Sequence, residues 1–154
     1  MQIKYIEGDL LDFPEGIQVA CHQANCQATM GAGIALQVRE RYPEVAKADR
    51  DAFNAHEAKL GLFSAVKISD DPVKIIVNLY GQETIGGEKA TDYEGLYQAM
   101  SRAFLLASNR GYKIGLPRLM GCGLAGGDWR IVKTMIEVLA EKHNADITIV
   151  ELKV

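Results

Sequence analysis

The chain of 154 residues lacks the marks of several common protein classes. Its three cysteines are an odd number, which no disulfide framework uses, and no C-x-x-C pair offers the short spacing of a zinc site. Cys21 and Cys26 lie close together and Cys122 is remote, so reduced thiols are expected and no metal or cofactor. No lysine or arginine stands beside Cys26 or Cys122 to lower a thiol pKa. That favours small residues fitted into crowded backbone over nucleophiles. No apolar run approaches the roughly 20 residues of a membrane span. Met1-Gln2-Ile3-Lys4 opens an alternating strand pattern instead of a signal peptide, so a cytoplasmic protein with no membrane partner is expected. Clusters of Lys and Arg are missing and the formal charge is −3, which argues against nonspecific nucleic-acid binding, since that needs a basic footprint. There is no internal repeat, low-complexity tract or linker. The length suits one domain over residues 1–154.

What the chain does have is a regular alternation of strand and helix patterns. Ile3-Lys4-Tyr5-Ile6 and Ile17-Gln18-Val19-Ala20 read as two opening strands, with Pro14-Glu15-Gly16 punctuating the link. A helix carrying Ile34, Ala35 and Val38 stops before Pro43, because the residue preceding a proline disfavours helix. A second helix carries Val45, Ala48, Ala52 and Phe53. Residues 63–68 and 73–80 flank Asp70-Asp71-Pro72 and predict an antiparallel hairpin whose second strand is the more buried. Thr91 and Glu94 have the spacing of a capping box before a helix with Tyr93, Leu96, Tyr97, Met100, Phe104 and Ala107 on one stripe. Residues 114–117 form a short strand. Asp128 then caps a helix that turns Trp129, Val132, Met135, Ile136 and Leu139 inward, and residues 147–150 close as a strand. The order β β α α β β α β α β predicts an α/β fold, a three-layer α/β/α sandwich with a mixed six-stranded sheet.

Two loops carry the chemistry. An apolar run ends in Cys21-His22-Gln23-Ala24-Asn25, and Met30-Gly31-Ala32-Gly33 leads into a helix. Met120-Gly121-Cys122-Gly123-Leu124-Ala125-Gly126-Gly127 repeats that character after the fifth strand. Helix-start N–H groups point outward unpaired, and glycines let backbone approach an anion closely. The third glycine of a dinucleotide fingerprint and the Gly-Lys-Ser/Thr of a P-loop are both missing. What remains is a phosphate grip made of backbone alone, set against the alternative of two tight turns. Both loops fall at carboxyl ends of strands, where such sheets bind ligands. A diphosphate held from two sides is the chemistry they fit.

Together these segments resemble the macro domain family, the ADP-ribose-binding fold, over essentially the whole chain. The resemblance is carried by Gly8-Asp9-Leu10, by His22-x-x-Asn25 with Met30-Gly31-Ala32-Gly33-Ile34-Ala35, and by Pro117-Arg118-x-Met120-Gly121-Cys122-Gly123-Leu124. The pattern is most similar to the branch of ADP-ribose 1''-phosphate phosphatases and of glycohydrolases that remove ADP-ribose from acidic side chains. It implies that Asp9 accepts a hydrogen bond from the adenine amino group, with a backbone donor from Leu10. A turn role for Asp9 is the alternative. It further implies that Asn25 holds the distal ribose hydroxyls. Met30, Gly31, Ala32, Gly33 and Ile34 would wrap the distal ribose and phosphates, Met120, Gly121, Cys122, Gly123 and Leu124 would close over the pyrophosphate, and Val150 would pack on adenine.

The glycohydrolases of that branch use a lysine after the strand matching 73–80 and an aspartate after Gly-Cys-Gly-Leu. Here Gln82 and Ala125 occupy those positions; neither can form a covalent adduct with an opened ribose or serve as an acid or base. Any chemistry is expected to rest on His22, Asn25 and Gln82, with His22 the one group suited to proton transfer at neutral pH. The resemblance then implies hydrolysis at the distal ribose, foremost as an ADP-ribose 1''-phosphate phosphatase. The alternatives are a non-catalytic ADP-ribose reader or sequestering module, and a de-ADP-ribosylase or O-acetyl-ADP-ribose deacetylase. The partner is ADP-ribose or a derivative, free or on a protein or nucleic acid, and a monomer is the expected state.

Overall fold

A computed structural model describes residues 3–27, 30–31, 33–52, 59–83 and 90–152. Six strands follow the expected order: β1 (Lys4–Glu7), β2 (Val19–Asn25), β3 (Phe63–Asp70), β4 (Val73–Gln82), β5 (Lys113–Pro117) and β6 (Asp146–Glu151). The helices are α1 (Gly33–Arg41), α2 (Pro43–Asp51), α3 (Tyr93–Asn109) and α4 (Trp129–His143). Single 3-10 turns at Leu10–Asp12 and Pro14–Gly16 link β1 to β2. The sheet runs β1-β6-β5-β2-β4-β3. All neighbours are parallel except β3, which pairs antiparallel with β4 as the expected hairpin. The mixed sheet follows from connection length: the Asp70 turn reverses the chain in place, whereas helices carry the other crossovers.

Alternation along the strands divides the interior into two cores. Cys21, Val77, Leu79, Leu116 and Ile149 pack with Leu96, Met100 and Phe104 of α3 and with Val132, Ile136 and Leu139 of α4. Ala20, Ile76 and Val150 face the other way, against Leu10, Leu11, Phe13, Val38 and Val45. Helices on both faces make the three-layer sandwich. Leu96, Met100 and Phe104 are fully buried, and each contributes roughly 1.5–3 kcal/mol relative to an exposed position. Gly115 lets the first 3-10 turn rest directly on the sheet: a Cβ there would meet Leu10 Cδ1 at 2.6 Å and Ile17 Cδ1 at 2.8 Å. No helix among the described residues is long and apolar enough to cross a membrane.

Three expectations need correction. The second strand does not stop at Ala20 but continues through the polar residues to Asn25, and all seven of its residues are buried. Parallel pairing with β4 runs from Val19 to Asn25, whereas β5 pairs only at Val19 and Ala20. The α3 cap is Asp92, whose carboxylate accepts from Gly95 N at 2.8 Å, not Thr91, whose hydroxyl is engaged elsewhere. The second helix ends at Asp51, and Phe53 lies outside the described residues. Asp128 caps α4 as expected, accepting from Arg130 N.

Candidate functional site

The parallel strands β1, β2, β4, β5 and β6 all end on one edge of the sheet, and a cleft of about 700 Å³ lies there. Its walls come from the segments after each strand. Gly8, Asp9 and Leu10 follow β1, and Gly31, Gly33 and Ile34 follow β2. Gln82 ends β4, the segment from Arg118 to Ala125 follows β5, and Val150 and Leu152 come from the end of β6. The two glycine-rich loops therefore meet at one cavity, of a size that suits a nucleotide-sized ligand.

At one end, Asp9 combines both expected roles. Its Oδ1 accepts from Leu11 N at 2.9 Å, which starts the 3-10 turn, and the residue still lines the cleft. Its Oδ2 accepts from Arg41 Nη1 at 2.9 Å, and Arg41 also holds Asp12 Oδ1 at 2.6 Å. Nothing in the sequence marked Arg41, because the contact spans the whole of α1. Leu10 and Val150 are buried, so they serve the core while showing a surface to the cleft. Arg118 lines this region and pairs with Glu151 at 3.7 Å.

At the other end the side chains are amides. Asn25 Oδ1 accepts from Gln27 N at 2.9 Å, and Gln23 Nε2 donates to Gln82 Oε1 at 2.8 Å. Gly33 has φ of +58° with open space around its Cβ position, so conformation and not crowding calls for glycine at the start of α1. Asp9 and Arg118 are the ionisable side chains that line the cleft among the described residues. The Asn25 end thus offers neutral hydrogen-bonding groups and the start of a helix, suited to holding and orienting a ligand.

Several expected site residues lie elsewhere. His22 is 1% exposed and does not line the cleft. On a strand, the side chain next to Gln23 points to the opposite face, and there His22 Nε2 meets Asn78 Oδ1 at 2.6 Å. Since Oδ1 only accepts, Nε2 carries the proton. Burial lowers the His22 pKa against smaller upward effects from Asn78 and Asp49, so the imidazole is neutral at pH 7. Asn78 continues to Ser64 Oγ, Ser64 to the Tyr80 hydroxyl, and Tyr80 to Asp49 Oδ1 at 2.6 Å. Lys59 Nζ reaches Asp49 O at 3.0 Å. This network is closed beneath the α1 and α2 layer, which corrects the expectation that His22 moves protons at a ligand.

Met30 is buried in the α1/α2 core, and Cys122 turns its thiol to Met120 O; neither lines the cleft. Met120, Gly121, Gly123 and Leu124 do line it, whereas Ala32 lies outside the described residues. Burial raises all three thiols, with Cys26 pushed up to about 11 by burial and by Glu83, so they stay protonated at neutral pH. Two residues were not singled out for the site from sequence: Gln23, which lines the cleft, and Thr91, which is bonded to Gly121 of the loop. Their signal was faint: a polar residue inside a strand that ends in a site, and a threonine whose capping pattern disguised another use.

The family model for the Macro domain matches residues 21–136. The uncharacterized 17.5 kDa protein in the tk-vs intergenic region of Enterobacteria phage T4 is 31% identical over 147 residues, which is 92% of each chain. An ADP-ribose 1''-phosphate phosphatase of Ajellomyces capsulatus is 49% identical over 41 residues, 27% of this chain and 16% of that protein. Among solved structures, Thermosipho africanus DarTG in complex with ADP-ribose superposes with a TM-score of 0.77 at 22% identity, over 96% of this chain and 41% of that one.

Proposed function

The chain belongs to the macro domain family, and from that premise we propose that its cleft binds ADP-ribose or an ADP-ribose derivative. The observation that carries the reading is the meeting of both glycine-rich loops across one cleft at the carboxyl ends of parallel strands. Adenine lies at the Asp9, Leu10 and Val150 end, with the Asp9 carboxylate accepting from its amino group. The diphosphate lies between Gly33 and the Gly121–Leu124 segment, and the distal ribose reaches Asn25 and Gln82. Titration calorimetry with ADP-ribose is expected to give a micromolar dissociation constant, about −8 kcal/mol. Absence of binding at millimolar ligand would overturn the assignment.

A second, hydrolytic reading, release of phosphate from ADP-ribose 1''-phosphate, is favoured by the segment similar to the Ajellomyces phosphatase. No ionisable side chain lines the Asn25 end among the described residues. Turnover therefore rests on positioning of water and phosphate by amides and backbone N–H groups, not on a side-chain base. Phosphate release that Asn25→Ala strongly reduces would support it; tight binding with no release would leave a reader or sequestering protein. ADP-ribosylated protein, ADP-ribosylated DNA and O-acetyl-ADP-ribose complete the substrate panel, since the cleft anchors the nucleotide whatever carries it.

A further inference from the structure

The loop that closes the cleft after β5 is held by a residue distant in sequence. Thr91 N donates to Ala125 O at 3.1 Å, and the Thr91 hydroxyl donates to Gly121 O at 2.6 Å. Gly127 N reaches the same Gly121 O at 2.9 Å. Thr91 also forms an antiparallel bridge with Gln82 at the end of β4. The loop is thus tied to the β4 side of the cleft through one buried side chain.

The direction of these bonds is fixed by chemistry. A carbonyl only accepts, so the single hydroxyl proton of Thr91 goes to Gly121 O. Thr91 Oγ1 must then accept from Gln23 Nε2, which lies 3.0 Å away, while the second proton on that nitrogen goes to Gln82 Oε1. This leaves Gln23 Oε1 buried without a hydrogen-bond partner among the described residues. It sits against two glycines: a Cβ on Gly81 would come to 2.5 Å from it, and one on Gly121 to 3.0 Å. A buried unpaired acceptor destabilises a fold, and an apolar residue at 23 would avoid that cost. What glutamine supplies instead is one nitrogen donating both to Gln82 at the end of β4 and to Thr91 behind the 121–127 loop.

We propose that Gln23 and Thr91 are positioning residues: a one-way relay, Gln23 to Thr91 to Gly121, that presets the 121–127 loop for the ligand's diphosphate. The proposal rests on the ADP-ribose reading and specifies what prepares that site. Thr91→Val keeps the shape without the hydroxyl, Thr91→Ser keeps the hydroxyl, and Gln23→Glu keeps the length but cannot donate. Thr91→Val and Gln23→Glu are expected to weaken ADP-ribose binding by about tenfold, with adenosine, which lacks the diphosphate, changed by less than about twofold. Thr91→Ser should bind as the unaltered protein does. Without any ligand, amide hydrogen exchange over 121–127 should quicken in Thr91→Val and not in Thr91→Ser. The relay is overturned if Thr91→Val binds ADP-ribose normally, if adenosine loses affinity equally, or if exchange in the loop is unchanged. Should the unaltered protein bind no ADP-ribose, the ligand assignment falls, while the exchange comparison still decides whether Thr91 holds the loop.

Discussion

His22 and Gln23 are neighbours on β2, both are polar and buried, and each leaves one polar atom without a partner among the described residues, Nδ1 in one and Oε1 in the other. Their surroundings could hardly differ more. Gln23 faces the cleft and reaches Gln82 and Thr91, among glycines and neutral amides. His22 faces the closed side, where Asn78, Ser64, Tyr80, Asp49 and Lys59 form a network that includes a buried cation and a buried anion. The contrast teaches that proximity along the chain does not assign a residue to a site. Depth along the strand counts as well as face: Ala24 shares the face of His22, yet it lines the cleft and His22 does not. The last three residues of β2, Gln23, Ala24 and Asn25, line the cleft, whereas His22, one step earlier, is enclosed among polar groups that answer one another.

The strongest way to break this separation is to open the closed side. Asp49 accepts from Tyr80 and stands 3.9 Å from Lys59 Nζ. Burial and the Asp49 carboxylate together hold the Tyr80 phenol well above its ordinary range. Asp49→Ala leaves Lys59 buried with the backbone carbonyl at residue 49 as its one hydrogen-bond acceptor among the described residues. Removing one partner of a buried ion pair costs about 3 kcal/mol, to be read as a lower midpoint in urea unfolding. ADP-ribose affinity measured on the folded variant should not change. A loss of affinity as large as that of Thr91→Val would show that the two faces of β2 act as one unit.

Much of the architecture was legible in the sequence because its signals are local. Helix stripes, the Asp70 turn and the strand order all follow from periodicity and turn residues, and the two glycine loops flagged the cleft. Contacts across the fold were not legible. Arg41 clasps Asp9 from the far end of α1, and Thr91 meets Gly121 thirty residues away in sequence. His22 was misplaced because the end of β2 was set at Ala20. Once residues 21–25 are strand and not loop, His22 falls inside the sheet, buried and one step short of the residues that line the cleft. Asn25, Gly31 and Gly33, which the resemblance singled out, line the cleft, while Met30 is buried in the core and the Cys122 thiol turns to Met120 O.

A finer test sets neighbours against each other on the cleft side. Thr91 and Asp92 are adjacent, yet one latches a loop and the other caps α3 by accepting from Gly95 N. Asp92→Ala removes an N-cap and is expected to cost about 1 kcal/mol of stability, with ADP-ribose affinity retained in the folded protein. Thermal unfolding and calorimetry on the same sample separate the two quantities. If Asp92→Ala weakened binding like Thr91→Val, the loop would depend on the whole start of α3 and not on one hydroxyl.

The smallest effect concerns protons. Burial holds the His22 pKa below its ordinary value of about 6.5. Above that pH the imidazole is neutral in both folded and unfolded chains, and His22 contributes no pH dependence. As the pH falls below it, the unfolded chain takes up a proton that folded His22 resists, so stability declines until the folded value is passed. His143, also lowered by burial and by Lys142, adds a slope of the same sign. His22→Gln should therefore flatten the fall in melting temperature between about pH 5 and 7 without abolishing it. ADP-ribose affinity above pH 7 should be unaffected, because His22 is buried and does not line the cleft. An unchanged slope would mean that a proton reaches the buried network without cost, and that the closed face of β2 is open to water after all.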